Sequence, residues 1–423
     1  GVAANDGVAP RIGAVVVAGG GLARTCTVMQ AGMPLLSANW YVATNGNDSA
    51  AGTNWATAKQ TIQAAIDAAA DGNTVWVSNG IYDAGGRVAG GTWPSRVAID
   101  KPVTVTAVNG PAWTKIVGDG MRCAYVTNGA MLSGFTLTNG TTDAEGGGAR
   151  CEDNGVVTNC ILIGNQAQFA GGGSFGGTLN NCELNGNTAA EGGGAYGSTL
   201  NNCVLAGNLA DLMGGGSYGG MLNYCLLTGN NGSMLGGGSL GGTLNYCLLI
   251  GNGAELGGGA GEGTLNNCIL ADNRASADGG GSNGGELNNC LLTGNSAHLY
   301  GGGAKGGVLK NCTVLGNSAG SVAGGVMSAT VNNSIVYENS SVLIDKANFD
   351  ESTFVNSCTW PDPGGMGNVT NDPRFADAAA GNYRLAAGSP CINAGDNAAA
   401  PGAGALDGNP RSVFGAVDRG ADA

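Results

Sequence analysis

The chain has 423 residues, 82 of them glycine, with 43% apolar and 11% charged side chains and a formal net charge of −13. That much apolar material excludes wholesale disorder, and the glycines are too few and wrongly spaced for collagen. The acidic balance opposes phosphate backbones, so no nucleic-acid partner is expected; no apolar run reaches the roughly 18 residues of a membrane helix, so no transmembrane segment is expected either.

In chain order, residues 1–38 form an extension with one apolar, β-branched run at 12–18, flanked by glycines. A lone short strand is unstable, so this run needs a partner. Either it docks on the edge of its own molecule, or it is an assembly strand entering a neighbouring subunit, a head-to-tail contact. Arg11 and the apolar run also resemble a signal peptide, but Gly19-Gly20-Gly21 interrupts early. Over 60–70, Ile62, Ala65, Ile66 and Ala69 share one helical face and Asp71-Gly72 supplies a stop. This helix is expected to cap the stack that follows, whose first strands are expected at 74–78, 103–108 and 115–117.

The stack itself is announced by a repeat. Cys160, Cys182, Cys203, Cys225, Cys247, Cys268, Cys290 and Cys312 recur every 21 or 22 residues inside the phrase Leu-Asn-Asn-Cys-x-Leu-x-Gly-Asn, which a glycine triplet follows. A fixed period of this length marks a solenoid. Within one coil Cys203 and Leu205 alternate and share a strand face, whereas Leu200 and Cys203 are three apart, so the chain must bend between them. Asn202 sits at that bend, as do Asn159, Asn181, Asn267, Asn289, Asn311 and Asn333, and asparagine tolerates left-handed backbone angles. A second asparagine row, from Asn165 to Asn339, marks another corner. Three strands and three corners per coil give an all-β fold, a right-handed parallel β-helix of ~22 residues per coil, over residues 39–345. The rival leucine-rich repeat needs a helical segment that glycine triplets oppose. The variable stretches before each triplet (LADLM, NGSML, SAHLY) read as loops, and 346–423, rich in proline, glycine and aspartate, as an irregular cap closing the far end.

The cysteine row reads as a structural ladder of free thiols in an apolar slot. Any disulfide is expected among the off-ladder Cys26, Cys123, Cys151, Cys358 and Cys391. No cofactor or metal is expected: there is no CxxC pair, no DxDxDG loop, and His298 is the single histidine.

The opening YVATNGNDSAAGTNWATAKQTIQAAIDAAADGNTVWVSNGIY resembles the entry of pectate-lyase-like right-handed β-helix proteins. The tail phrases NDPRF, YRLAAGSPCINAGDN and LDGNPR resemble the terminal region of large secreted bacterial β-helix proteins. The GGGA and CxLxGN phrases are similar to repeats of polymorphic outer-membrane proteins. The resemblance implies export and a cell-surface or extracellular location. It leaves the activity open, because the scaffold hosts lyases, hydrolases, adhesins and passive surface proteins alike.

In pectate-lyase-like enzymes the first sheet carries the catalytic groups; here the corresponding strands, GGGAYGG and its copies, are nearly bare. Glu145, Glu191, Glu255, Glu262 and Asp278 are scattered singly, where glycoside hydrolysis needs a carboxylate pair, so no catalytic residue is assigned. One stripe on these strands holds Phe175, Tyr196, Tyr218 and Leu240, either an exposed platform for sugar rings or a partner protein, or core. The expected function is a non-enzymatic extracellular structural or surface protein, adhesin-like or self-assembling into filaments. Its partners would be further copies of the chain, or a surface glycan or protein. The alternative is a polysaccharide lyase or glycoside hydrolase using the irregular coils, where Asp83, Arg87, Arg96, Lys101, Lys115, Asp119 and Arg122 gather, or a glycan-binding module.

Overall fold

The structure, a computed structural model, describes residues 38–400, 406 and 416–421, together with the backbone of 11–19 and 22–30. The coil at 192–213 makes four strands rather than three: Ala195–Tyr196, Thr199–Asn201, Val204–Ala206 and Leu209–Met213. Each pairs in parallel with its equivalent one coil on, building four sheets of 13, 14, 13 and 10 strands around a right-handed parallel β-helix. These are the first to fourth sheets, in chain order within a coil.

The fourth sheet is where the sequence reads loops. Its strands pair from Thr141–Thr142 to Ser340–Ser341. Its inward slot, two residues past the buried asparagine, holds Ala167, Ala189, Ala210, Gly232, Ala254, Ala275, Ala297 and Ala319. Side chains this small give no apolar rhythm to read, yet they bring the sheet close to the axis. The other inward rows are the expected ones. Leu179, Leu200, Leu222 and Leu244 stack in the second sheet and Leu184, Leu205, Leu227 and Leu249 in the third, each fully buried.

Between those two sheets the predicted bend is present. Asn159, Asn181, Asn202, Asn267, Asn289, Asn311 and Asn333 have φ between 48° and 60°, and Tyr224 and Tyr246 hold the same slot at 55° and 54°. The second asparagine row is buried and doubly bonded. Asn230 Nδ2 donates to Leu205 O of the coil before (2.9 Å) and to Asn252 Oδ1 of the coil after (2.9 Å). Its Oδ1 accepts from the backbone N (3.0 Å) and Nδ2 (2.9 Å) of Asn208. A third row runs on the outside of the second sheet, where Asn201 Nδ2 donates to Asn180 Oδ1 (2.9 Å) and Asn223 Nδ2 to Asn201 Oδ1 (2.8 Å).

Every cysteine with a described side chain is buried and free, the off-ladder Cys123, Cys151, Cys358 and Cys391 included; Cys26 lies outside the described side chains. The ladder slot is not purely apolar, however. Cys203 Sγ donates to Asn201 O (3.4 Å) and accepts from Cys182 N (3.4 Å). Ser334, next in phase, keeps the same bonds, accepting from Cys312 N (2.9 Å) and donating to Asn332 O (2.7 Å). Cys203→Ser should therefore cost less than about 1 kcal/mol. Cys203→Val, which leaves the Cys182 N–H unpaired, should cost about 1–3 kcal/mol; denaturant melts of the two variants check the order.

Burial pushes Cys123 and Cys151 up to about 12 and raises Cys160 as well. An unfolded thiol ionises near 8.5. The protonated thiols thus favour the folded state fully below about pH 8.5, and that contribution is lost as pH rises toward 12. The denaturation midpoint should fall steadily between pH 8 and pH 11, and alkylation should reach the ladder thiols only after denaturation. A flat midpoint, or rapid labelling of the native protein, would contradict this burial.

Both ends carry more than expected. The helix Ile62–Ala68 buries Ile62, Ala65 and Ile66 in the main core, with Thr61 Oγ1 accepting from Ala64 N (3.2 Å) at its start. At the other end the solenoid outlasts its sequence period by one coil: Phe349–Asp350, Thr353–Val355 and Cys358–Thr359 extend three of the sheets. An insertion after Ser341 breaks the spacing, but Asn348 from that insertion still receives Asn339 N and Nδ2 (both 3.0 Å), and Ser357 takes the cysteine slot by accepting from Ser334 N (3.1 Å). The tail then folds back along the flank instead of only closing the end. Asn333 Nδ2 donates to Asp396 O (2.8 Å), Asn311 Nδ2 to Asp418 O (3.0 Å), and Ala421 N to Thr313 Oγ1 (3.0 Å).

The run at 12–18 has a partner that the sequence reading did not offer. Strand Arg11–Gly19 pairs antiparallel with Leu22–Gln30, Gly19 opposite Leu22. Arg24, Thr25 and Thr27 make the second strand look polar, and it is easily passed over. Residues 1–10 of the extension lie outside the described residues.

Candidate functional site

The outward positions of the first sheet form one continuous stripe. Register pairs Tyr125 with Arg150, Arg150 with Phe175, Phe175 with Tyr196, Tyr196 with Tyr218, and Tyr218 with Leu240. Phe175 and Tyr196 stack at 5.3 Å with planes 4° apart, and Tyr196 and Tyr218 at 5.0 Å and 12°. The three rings are half-buried. Their spacing is that of the coils, so each ring's faces are turned to its neighbours along the row and its edge is what solvent meets. Leu240 departs from the platform reading because it is buried, at 4% exposure. The outward side chains of the first and fourth sheets meet across the glycine bend, and Leu235 and Leu240 both crowd the point above Gly261. Farther along, Val322, Ala323 and Met327 make a small apolar cluster with Tyr300 in the same corner. Lys305 lies over the Tyr300 ring and pairs with Asp278. The stripe thus fills an outer corner, partly as packing and partly as surface. The triple variant Phe175→Ala, Tyr196→Ala, Tyr218→Ala should lose roughly 1 kcal/mol per ring, well short of a buried aromatic. A melting-temperature series over the single, double and triple variants reads this directly.

A second aromatic pair escapes the sequence reading. Tyr224 and Tyr246 stack at 5.0 Å, 7° from parallel, and are 62% and 50% exposed. They replace asparagine at the left-handed bend, and the signal was the gap they leave in that row.

The charged residues of the irregular coils are dispersed by the fold. Arg96 is buried, its guanidinium donating to Val117 O (2.9 Å) and Gly118 O (2.7 Å). Arg122, 1% exposed, donates through Nε to Gly146 O (2.9 Å) and through Nη2 to Glu145 O (2.6 Å); burial, with Arg150 adding, lowers it to about 10. Lys101 Nζ donates to Ala69 O (2.8 Å) past the end of the capping helix. Arg87 pairs with Asp67 and with Asp100 (3.4 Å). Lys115 and Asp119 are exposed, and Asp83 borders a cleft of about 110 Å³ with Thr44, Gln60, Thr61 and Tyr82. The residues expected to gather do not form one site.

What the fold does bring together is Tyr125, Arg150 and Glu152, at the N-terminal end of the stripe. Tyr125 Oη donates to Glu152 Oε1 (3.0 Å), and Arg150 Nη1 donates to Gly90 O (2.6 Å) in the loop that folds over both. Burial raises the Tyr125 phenol, with Glu152 adding and Arg150 opposing. Tyr125 precedes Arg150 by 25 residues, off the repeat period, which hid it in the sequence.

No family model matches the chain, and no curated protein does. Among solved structures it is similar to pectate lyase Pel9A, at 18% identity over 90% of this chain and 95% of that one with a TM-score of 0.40. It is similar to a rhamnogalacturonan lyase at 14% identity, 80% and 90% coverage and a TM-score of 0.33. A third is the complex of XylC with xylose, at 10% identity, 90% and 98% coverage and a TM-score of 0.34. At these identities and TM-scores no residue role passes from them to this chain. No helix among the described residues is long and apolar enough to cross a membrane.

Proposed function

We propose that this chain is a non-catalytic extracellular solenoid that works through its faces, as an adhesive or assembling surface element. The observation that carries the reading is the fate of the charges. Arg87, Arg96, Lys101 and Arg122 are tied to backbone carbonyls or to acids of the fold. The regular coils present rows of asparagine, paired threonines and stacked tyrosine on their outer sides. Such rows suit many weak contacts along an extended partner better than one reacting bond. The sequence resemblance implies export, and the partner in this reading is a surface glycan or protein, or another copy of the chain. The test is a panel of neutral and uronate-containing polysaccharides, assayed for retention and for new reducing ends or unsaturated products. Retention without turnover supports the surface reading, and turnover overturns it. Electron micrographs of the purified chain separate fibres from single particles.

The second reading, a polysaccharide lyase or hydrolase, rests on the Tyr125–Arg150–Glu152 group. A guanidinium there could neutralise a uronate while the phenol and carboxylate exchange a proton. If the panel yields product, Glu152→Gln and Arg150→Ala should each lower it by at least about a hundredfold; undiminished turnover in both would place the chemistry elsewhere.

A further inference from the structure

Cys358 and Cys391 come from different elements and meet in one pocket. Cys358 opens the last strand of the third sheet, Cys358–Thr359, while Cys391 belongs to the tail that folds back along the flank. Both are fully buried and share a cluster with Ile335, and Cys358 Sγ donates to Asn371 O (3.2 Å). Beside them lies Arg419, 4% exposed, donating through Nε to Ala394 O (3.0 Å) and through Nη2 to Gly367 O (2.6 Å), with Nη1 buried and unpartnered.

The ladder cysteines differ from this pair in two ways. They sit in equivalent places on successive parallel coils, so their Cα–Cβ bonds run side by side. Their Cβ atoms then stay near the strand spacing of about 4.8 Å, beyond the roughly 3.5–4.5 Å that a cystine takes. Cys391 belongs to no strand and so has no such register with Cys358. A guanidinium also favours the thiolate, the form that attacks a disulfide, and Arg419 supplies one at this pair.

We propose that Cys358 and Cys391 are a dithiol–disulfide pair whose oxidation locks the tail onto the last coil. The oxidant is a small-molecule disulfide of the glutathione class. Cys391, as thiolate, attacks one sulfur of that disulfide and expels one thiolate, giving a mixed disulfide. Cys358 then gives up its proton and attacks Cys391 Sγ, expelling the second. Two protein thiols are oxidised and one small disulfide is reduced to two thiols. The neighbouring Cys358 side chain, helped by Arg419 and opposed by burial, holds Cys391 below the usual thiol range, which suits it to the first step. Both sulfurs are buried, so the reaction waits on opening of the tail. Once formed, the bond holds in place the segment that meets Asn311, Thr313 and Asn333.

The experiment incubates the full chain with glutathione disulfide or with dithiothreitol, then alkylates it under denaturing conditions and maps the peptides. The expected result is loss of two alkylatable thiols, a cross-link joining the Cys358 and Cys391 peptides, and severalfold slower proteolysis of residues 360–400. Cys391→Ser should abolish both the link and the protection. Thiols that all remain alkylatable, or a link between other cysteines in their place, would overturn the proposal. The wild-type peptide map decides even if the variant does not fold.

Discussion

Asn230→Ala is expected to destabilise the solenoid by about 3 to 5 kcal/mol. The side chain is 1% exposed and its amide uses both ends. Truncation leaves Leu205 O without its 2.9 Å donor, and Asn208 N and Nδ2 without their shared acceptor at 3.0 and 2.9 Å. Each buried group left unsatisfied costs about 1–3 kcal/mol. Each coil contacts chiefly its neighbours, so the loss should appear first as local opening of the coils on either side. Hydrogen exchange of the amides of Asn208 and Asn231 reads that opening more directly than a global melt. Asn230→Asp gives a second reading. A carboxylate can still accept from Asn208 but faces Leu205 O and Asn252 Oδ1 with no proton to donate. This variant should be at least as unstable at neutral pH and recover in part in acid, where the protonated form donates one bond. Insensitivity of both variants would mean the row is decoration.

This row was plain in the sequence because its spacing and its chemistry agree. An asparagine beside glycine, at fixed distance from a buried cysteine, repeats where a corner is required, and the left-handed angles at the neighbouring row of bends have the same source. The fourth sheet was hidden because its inward residues are alanine and glycine, so burial there leaves no hydrophobic rhythm. The extra coil was hidden for a different reason. Asn348 and Ser357 fill ladder slots from beyond an insertion, so three-dimensional phase is kept while sequence phase is lost. The flank position of the tail depends on contacts such as Asn333 with Asp396, more than sixty residues apart, which no local pattern reports.

The candidate site was less legible than the fold. Long-range placement decides whether a charge is free or spent, and Arg96 and Arg122 look alike in sequence to the less confined Arg150. The fold ends the first two on several carbonyls deep in the molecule, while the third meets one carbonyl, Gly90 O, beside Tyr125 and Glu152. The aromatic stripe was visible as a row, but its sharing of an outer corner with the fourth sheet could not be read before that sheet was known.

Gly216→Ala should be as damaging as loss of an asparagine from the ladder, about 3 kcal/mol or more, and this separates two accounts of the glycine triplets. Bare glycine strands suggest either a face open to another sheet or the copying of one coil with its glycines. The structure gives a third reason. A Cβ on Gly216 would lie 2.4 Å from Gly238 O of the next coil, and one on Gly215 would lie 2.4 Å from the backbone of Asn231. The backbone that approaches is the chain's own, drawn close because the corner between the fourth and first sheets has no room for side chains. The clash is with main-chain atoms, so no rotamer relieves it, and two coils must move apart and weaken the bond from Ser217 N to Gly238 O (3.0 Å). Gly229 is the control. It has φ +61° and open space around the same added atom, so Gly229→Ala meets only the left-handed backbone cost, about 1 kcal/mol. Copying without a packing role predicts no penalty at Gly216 beyond that of an ordinary surface change. Paired melts of the two variants decide between them, and a Gly216→Ala protein as stable as Gly229→Ala would remove the packing account.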